Sequence, residues 1–214
     1  DLLWRCDNED TRSLLPATTA LADGRLFLQN TREIVCLDAS SGEKLWAAPR
    51  PVYTTRLSWS TPTLVVRDGV VLSADGSTGG VPPEARRGED DVTWIMSDQD
   101  IRRHPMGDLV ALDAETGESL WNGESLQGFC SPGDVFVVGD RVWAGAKVGT
   151  GMQTLDEALS LRSGEVVSVV DDRAPTGGHT KCYRNKTTER FLILGAIGVE
   201  FVDVDDWSWT SDPW

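Results

Sequence analysis

Short apolar runs, each ended by Gly, Pro or Asp, recur along the whole chain and predict short β-strands joined by tight turns. One element occurs three times in the same order: a proline, an apolar stretch, a Gly/Asp pair and a second apolar run. It spans Pro16 through Asp23-Gly24 to Leu26-Phe27-Leu28, then Pro62 through Asp68-Gly69 to Val70-Val71-Leu72, then Pro132 through Gly139-Asp140 to Val142-Trp143. Asp-Gly between two such runs signals a hairpin, because Gly accepts the positive φ that the tight turn needs.

A second element follows each of these. Cys36-Leu37-Asp38-Ala39-Ser40-Ser41-Gly42-Glu43-Lys44-Leu45-Trp46 aligns without gaps on Ala111-Leu112-Asp113-Ala114-Glu115-Thr116-Gly117-Glu118-Ser119-Leu120-Trp121. A third copy, Ala158-Leu159-Ser160-Leu161-Arg162-Ser163-Gly164-Glu165-Val166, keeps the turn but loses the Asp and the Trp. Leu2-Leu3-Trp4 reads as the tail of an earlier copy, and Val199-Glu200-Phe201-Val202-Asp203 as the start of a later one. In Asp-Ala-Glu-Thr-Gly the Asp and Thr side chains hydrogen-bond nearby backbone N–H groups, and Gly closes the turn in the left-handed region. Each repeat therefore predicts four antiparallel strands, A to D. Such a sheet cannot bury both faces alone, so neighbouring sheets must stack. A β-sandwich would explain the hairpins but not the repeated hairpin-plus-Trp unit.

The frame from Ala111 to Trp121 resembles the tryptophan-docking repeat of PQQ-type propellers, a family that includes quinoprotein alcohol dehydrogenases and non-enzymatic outer-membrane assembly propellers. The resemblance implies an all-β fold, a β-propeller of PQQ-like or WD40-like four-stranded blades. About four blades are expected as part of an incomplete propeller, near residues 15–47, 61–122, 131–170 and 179–206. It gives Asp38, Gly42, Trp46, Asp113, Thr116, Gly117 and Trp121 a structural role, the Trp docking one blade on the next. The stretch from His179 to Lys186, with Arg190 to Gly195 and Glu200 to Asp203, is similar to a late blade of large exported bacterial PQQ-binding-like propellers. A periplasmic or extracellular location, and further blades of a longer chain, are what this likeness implies.

Composition narrows the chemistry. With Gly 21, Pro 10 and Trp 9 in 214 residues the chain is turn-rich and Trp-rich, and its formal net charge of -14 argues against nucleic acid or an anionic membrane as partner. No run approaches the roughly 18 apolar residues of a membrane span. The chain starts at Asp1, which reads as a cut from a longer product. Cys6, Cys36, Cys130 and Cys182 are too scattered for a zinc or redox motif; a Cys130 to Cys182 bridge is open, as are four free thiols.

In a four-stranded meander the B–C and D–A connections emerge on one face and the tight A–B and C–D turns on the other. The longest connection, Gly76 to Gly107, has the composition of a partly disordered insertion, with a ligand-binding loop as the other reading. Arg50, Tyr53, Arg56 and Trp59 fall on the same face, where aromatic and Arg side chains would stack on and pair with an anionic or planar ligand; the other reading packs Trp59 between blades and leaves the arginines in solvent. His179, Lys181 and Tyr183 alternate along a candidate innermost strand, which would put a titratable group and a cation near the channel; the other reading makes His179 a hydrogen-bonded structural residue, no acidic partner being identifiable. Asp203-Val204-Asp205-Asp206-Trp207 lacks calcium-loop grammar and reads as a solvated tail.

No G-x-S-x-G, H-E-x-x-H, phosphate loop or haem motif is present, and no catalytic or metal-binding constellation emerges. The expected function is a non-catalytic scaffold or platform of an exported bacterial protein, binding a protein partner or small ligand at the B–C/D–A face, without a cofactor. The alternative is a fragment of a quinoprotein dehydrogenase using PQQ and calcium.

Overall fold

The computed structural model describes residues 3–53, 61–76, 86–87, 94–95, 107–125, 127–128, 131–132, 134–145, 155, 157–169, 185–194 and 198–213. A single helical turn, α1 (Glu9–Arg12), is capped by Asn8, whose side chain accepts the Asp10 N–H at 3.0 Å. Four antiparallel four-stranded sheets follow.

Sheet 1 is β1 (Leu14–Ala22), β2 (Arg25–Asn30), β3 (Glu33–Asp38) and β4 (Lys44–Pro49). Sheet 2 begins with β5 (Thr63–Arg67) and β6 (Val70–Asp75). A two-residue ladder, β7 (Arg86–Arg87) with β8 (Trp94–Ile95), precedes its last strands, β9 (Gly107–Asp113) and β10 (Ser119–Ser125). A second short ladder, β11 (Gln127–Gly128) with β12 (Ser131–Pro132), leads to sheet 3: β13 (Phe136–Val138), β14 (Arg141–Trp143), β15 (Glu157–Ser160) and β16 (Val166–Val169). Sheet 4 is β17 (Lys186–Thr187), β18 (Phe191–Leu194), β19 (Gly198–Asp203) and β20 (Trp209–Pro213). Every sheet is an A-B-C-D meander, and β6 pairs directly with β9 across the long connection.

Side-chain alternation explains why the sheets stack. Val70, Leu72 and Ala74 point one way from β6 into a cluster with Val142 and Leu161 of sheet 3. Val71 points the other way, into a cluster with Phe27, Ile34 and Cys36 of sheet 1. A third cluster joins Phe136, Val138 and Trp143 of sheet 3 to Leu192, Leu194 and Val202 of sheet 4. Successive strand residues face opposite sides, and sheets 1, 2 and 3 are apolar on both, so each of them packs on two sides. The outer face of sheet 1, Leu28, Val35 and Leu37, packs with Trp4.

The turns hold their expected chemistry. Asp23-Gly24 and Asp68-Gly69 carry positive φ at both residues (47° and 72°, 46° and 74°), the geometry that matches a two-residue loop to the twist of its strands. In the C–D turns, Asp38 accepts the N–H groups of Ser40 and Ser41 at 2.9 and 2.8 Å, and Asp113 those of Glu115 and Thr116 at 2.8 and 2.9 Å. The charged carboxylate accepts these bonds more strongly than its protonated form does. The Ser40 hydroxyl, then the Ser41 and Ser40 amides, hold Asp38 down at about 2.

The carboxy-terminal segment differs from the sequence expectation. Asp203 is no part of a solvated tail: it is buried, accepts the Asp205 N–H at 2.9 Å and pairs with Arg190, and the chain continues as β20, hydrogen-bonded along β19. The local sequence lacked the frame residues, but pairing with β19 supplies the order.

Candidate functional site

Three indoles reach a C–D turn at equivalent places, Trp46 and Trp121 from the preceding sheet and Trp4 from the segment before α1. The Trp4 ring N–H donates to Ala39 O at 2.9 Å, that of Trp46 to Ala114 O at 3.1 Å and that of Trp121 to Leu161 O at 2.9 Å. Each ring lies flat on the glycine of the receiving C–D turn. A Cβ added at Gly42 would sit 2.6 Å from the Trp4 ring, at Gly117 2.7 Å from Trp46, and at Gly164 2.6 Å from Trp121. These glycines also have φ of 75°, 75° and 71°, so the position requires glycine twice over, for backbone and for space. Trp121 is buried, while Trp46 is half-buried and tilts against Phe27 with centroids 5.9 Å apart.

A β-bulge aims the rings of Trp46 and Trp121. In sheet 1, Leu37 pairs with Lys44 and Cys36 with Trp46, so Leu45 is the extra residue; in sheet 2, Leu112 pairs with Ser119 and Ala111 with Trp121. The extra residue re-aims the Trp toward the next sheet.

On the B–C/D–A face, Arg50 follows β4 and crosses to sheet 2. Its Nε donates to Ser73 Oγ at 3.3 Å, and its Nη2 to Ser73 O at 3.4 Å and Asp108 O at 2.9 Å, with the Asp108 carboxylate 3.9 Å from Nη1. Ser73 Oγ in turn donates to the buried Gln29 Oε1 at 3.0 Å. Burial pushes the guanidinium pKa down, and Asp75 and Asp108 oppose this. Arg50 therefore lies between the first two sheets, neither at an open mouth nor in solvent, and only 6% of it is exposed. Tyr53 is buried beside it, its N–H donated to Asp75 at 3.0 Å. Arg56, Trp59, His179 and Lys181, together with Cys130 and Cys182, lie outside the described residues.

Sequence reasoning did not anticipate a cleft of about 230 Å³ on the opposite, turn-bearing face. It brings Arg25 and Arg162 beside Asp23, Asp113 and Glu115 from three successive sheets. Arg162 is held there by Asp68 O, and Glu115 lies 3.9 Å from Arg25. Contacts across three sheets leave no mark in any local motif. Cys36 lies in the core between sheets 1 and 2, where burial pushes its thiol up to about 11 against the pull of Arg25; Cys6 is half-buried, and both thiols are free.

Arg50, a group suited to pairing with an anionic ligand, has its Nε and Nη2 donors on Ser73 and Asp108. Among the described residues no cluster of three His, Cys, Asp or Glu side chains is placed to hold a metal ion, and no helix is long and apolar enough to cross a membrane.

Comparison with known proteins places this architecture. BamB from Moraxella catarrhalis is similar in structure at 13% identity and TM-score 0.50 over 89% of this chain, which spans 47% of that protein. The quinohemoprotein alcohol dehydrogenase of Comamonas testosteroni is similar at 15% identity and TM-score 0.54, over 98% of this chain and 38% of its own. The computationally designed protein Ika4 matches at 13% identity and TM-score 0.51, over 97% of this chain and 95% of its own. At these identities the likeness shows the fold, a β-propeller. The chain spans less than half of the natural proteins just named. No curated protein matches it in sequence. Residues 1–172, with all three Trp-on-Gly contacts, match the PQQ-repeat family described as outer membrane protein assembly factor BamB, and the chain belongs to that family.

Proposed function

We propose that this chain is a rigid, non-catalytic propeller scaffold of an exported bacterial protein, presenting its B–C and D–A connections to a protein partner. The observation that carries this reading is the succession of Trp4, Trp46 and Trp121, each on the glycine of the next turn. These contacts dock successive blades, with Asp38, Gly42, Asp113, Thr116 and Gly117 shaping the sockets. Arg50 adds a second tie between the first two sheets. A repeat fold fixed in this way presents a firm surface whose specificity resides in its variable loops. The family description supports a protein partner and a periplasmic location. Arg56 and Trp59 of the loop face, with His179 and Lys181 of the candidate innermost strand, are the proposed contact residues, and no catalytic residue is assigned.

Photo-crosslinking residues placed at 56 and 59 on the loop face, and at 23 and 115 on the turn face, test the proposal in cells of the source organism. Discrete protein adducts are expected from the loop face. Adducts from the turn face alone, or from neither face, would refute it. A parallel titration with PQQ and calcium separates the quinoprotein reading: saturable quinone absorbance with alcohol-dependent dye reduction would replace the scaffold by a dehydrogenase fragment.

A further inference from the structure

Among the described residues the last strand of sheet 3 sends no indole to the C–D turn of sheet 4, yet that turn keeps the backbone of the other sockets. Trp207 N–H donates to Asp203 O at 2.9 Å, as Gly42 does to Asp38 O and Gly117 to Asp113 O at 2.8 Å. Val204 N–H reaches Arg190 O at 3.1 Å, as Ala39 reaches Gly24 O and Ala114 reaches Gly69 O at 2.9 Å. Trp207 thus stands where the other three turns have glycine, at a φ of 58° that L side chains rarely adopt.

The third sheet shows the matching change. Leu159 pairs with Val166 and Ala158 with Ser168, so β16 retains the bulge that aims Trp46 and Trp121. The residue it aims is Ser168. The carbonyl that would accept an indole N–H, Val204 O, accepts Arg141 Nη1 at 3.2 Å instead. Trp207 fills the junction from its own side: its ring meets Trp143 edge-on, centroids 6.0 Å apart and planes at 74°, within the cluster joining the two sheets. The Arg141 guanidinium lies 5.6 Å from the far ring of that pair, Trp143.

We propose that the junction of sheets 3 and 4 is an inverted lock. The receiving turn supplies the indole through Trp207, Arg141 takes over the carbonyl, and Ser168 leaves the space open. The inversion makes the two sheets specific for each other. A sheet ending in a Trp plug meets an occupied socket on sheet 4, and sheet 3, with Ser168, cannot fill a glycine socket. Among stacked sheets of near-identical backbone, this exclusion suppresses misdocking, a known failure of repeat folds.

The test is a double-mutant cycle in the full chain: Trp207→Gly, Ser168→Trp and the pair together, followed by thermal melting and by solvent exchange of indole N–H groups. Trp207→Gly should lower the midpoint by roughly 2 to 4 °C, the lost ring contact less the relief of left-handed strain. Ser168→Trp should lower the midpoint in the native background and raise it in the Trp207→Gly background. In the pair, the indole at position 168 should become as protected as those of Trp46 and Trp121. If Trp207→Gly alone does not fold, recovery of folding in the pair is the same rescue. A Ser168→Trp effect of one sign in both backgrounds, a Trp207→Gly variant that melts at or above the native chain, or a pair that does not fold overturns the proposal.

Discussion

Replacing Gly117 by Ala isolates the energy of one indole contact, because Gly24 provides a control at nearly the same backbone angle. Gly24 has φ 72° with nothing within 4 Å of an added Cβ, whereas Gly117 has φ 75° with the Trp46 ring 2.7 Å away. Gly24→Ala therefore bears only the left-handed conformation, about 1 to 2 kcal/mol. Gly117→Ala bears the same strain and must also lift the ring. That breaks the hydrogen bond to Ala114 O, about 1 kcal/mol net, and re-exposes part of the indole, roughly another 1 to 2 kcal/mol. The difference of about 2 to 3 kcal/mol corresponds to a midpoint lower by roughly 5 to 10 °C in a chain of this size. Thermal melts of the two variants measure it directly. In a Trp46→Ala background the excess should vanish, leaving a coupling of about 2 kcal/mol between positions 46 and 117. Equal midpoints for Gly24→Ala and Gly117→Ala, or additive effects of positions 46 and 117, would show that the ring rests on the turn without stabilising it.

Arg50→Met should lower stability by about 3 kcal/mol, since it strips the donors from the buried Ser73 and half-buried Asp108 carbonyls, and Arg50→Lys should recover little because an ammonium cannot span both with one planar group; urea midpoints check both. Asp38 stabilises the fold through a pKa held near 2, below an unfolded value of about 4. Its contribution is therefore complete above about pH 4 and is lost as pH falls toward 2. Asp38→Asn should be less stable than the native chain at pH 7, with the gap closing near pH 2; a gap independent of pH refutes the assignment. Cys36, with its thiol near 11 and no exposure, should label with iodoacetamide at pH 8 far more slowly than Cys6, as mass spectrometry of the native protein would show.

The fold was legible because each repeat writes its own turns. Asp-Gly pairs, the Asp-x-x-[ST]-Gly turn and the paired apolar runs act within about ten residues, a range over which backbone preference is decided locally. The candidate site was less legible. The sequence places Arg50 as a cation on the loop face, but its burial depends on Ser73 and Asp108, 23 and 58 residues away. The turn-face cleft draws charged residues from three sheets and was not visible at all. Trp4 was recognised only as the tail of a repeat, and its ring proves equivalent to those of Trp46 and Trp121.

Sheet 4 marks the boundary between the two kinds of information. By residue identity alone the third copy lacks a Trp and the fourth lacks a glycine, which reads as decay of the motif. In the folded chain both backbones persist, the bulge at Ser168 and the left-handed turn at Trp207, and only the side chain that fills the junction has changed sides. Local sequence determined the strands, the turns and the need to stack. Which indole fills which socket is a contact between residues of different sheets, and the tertiary structure decided it.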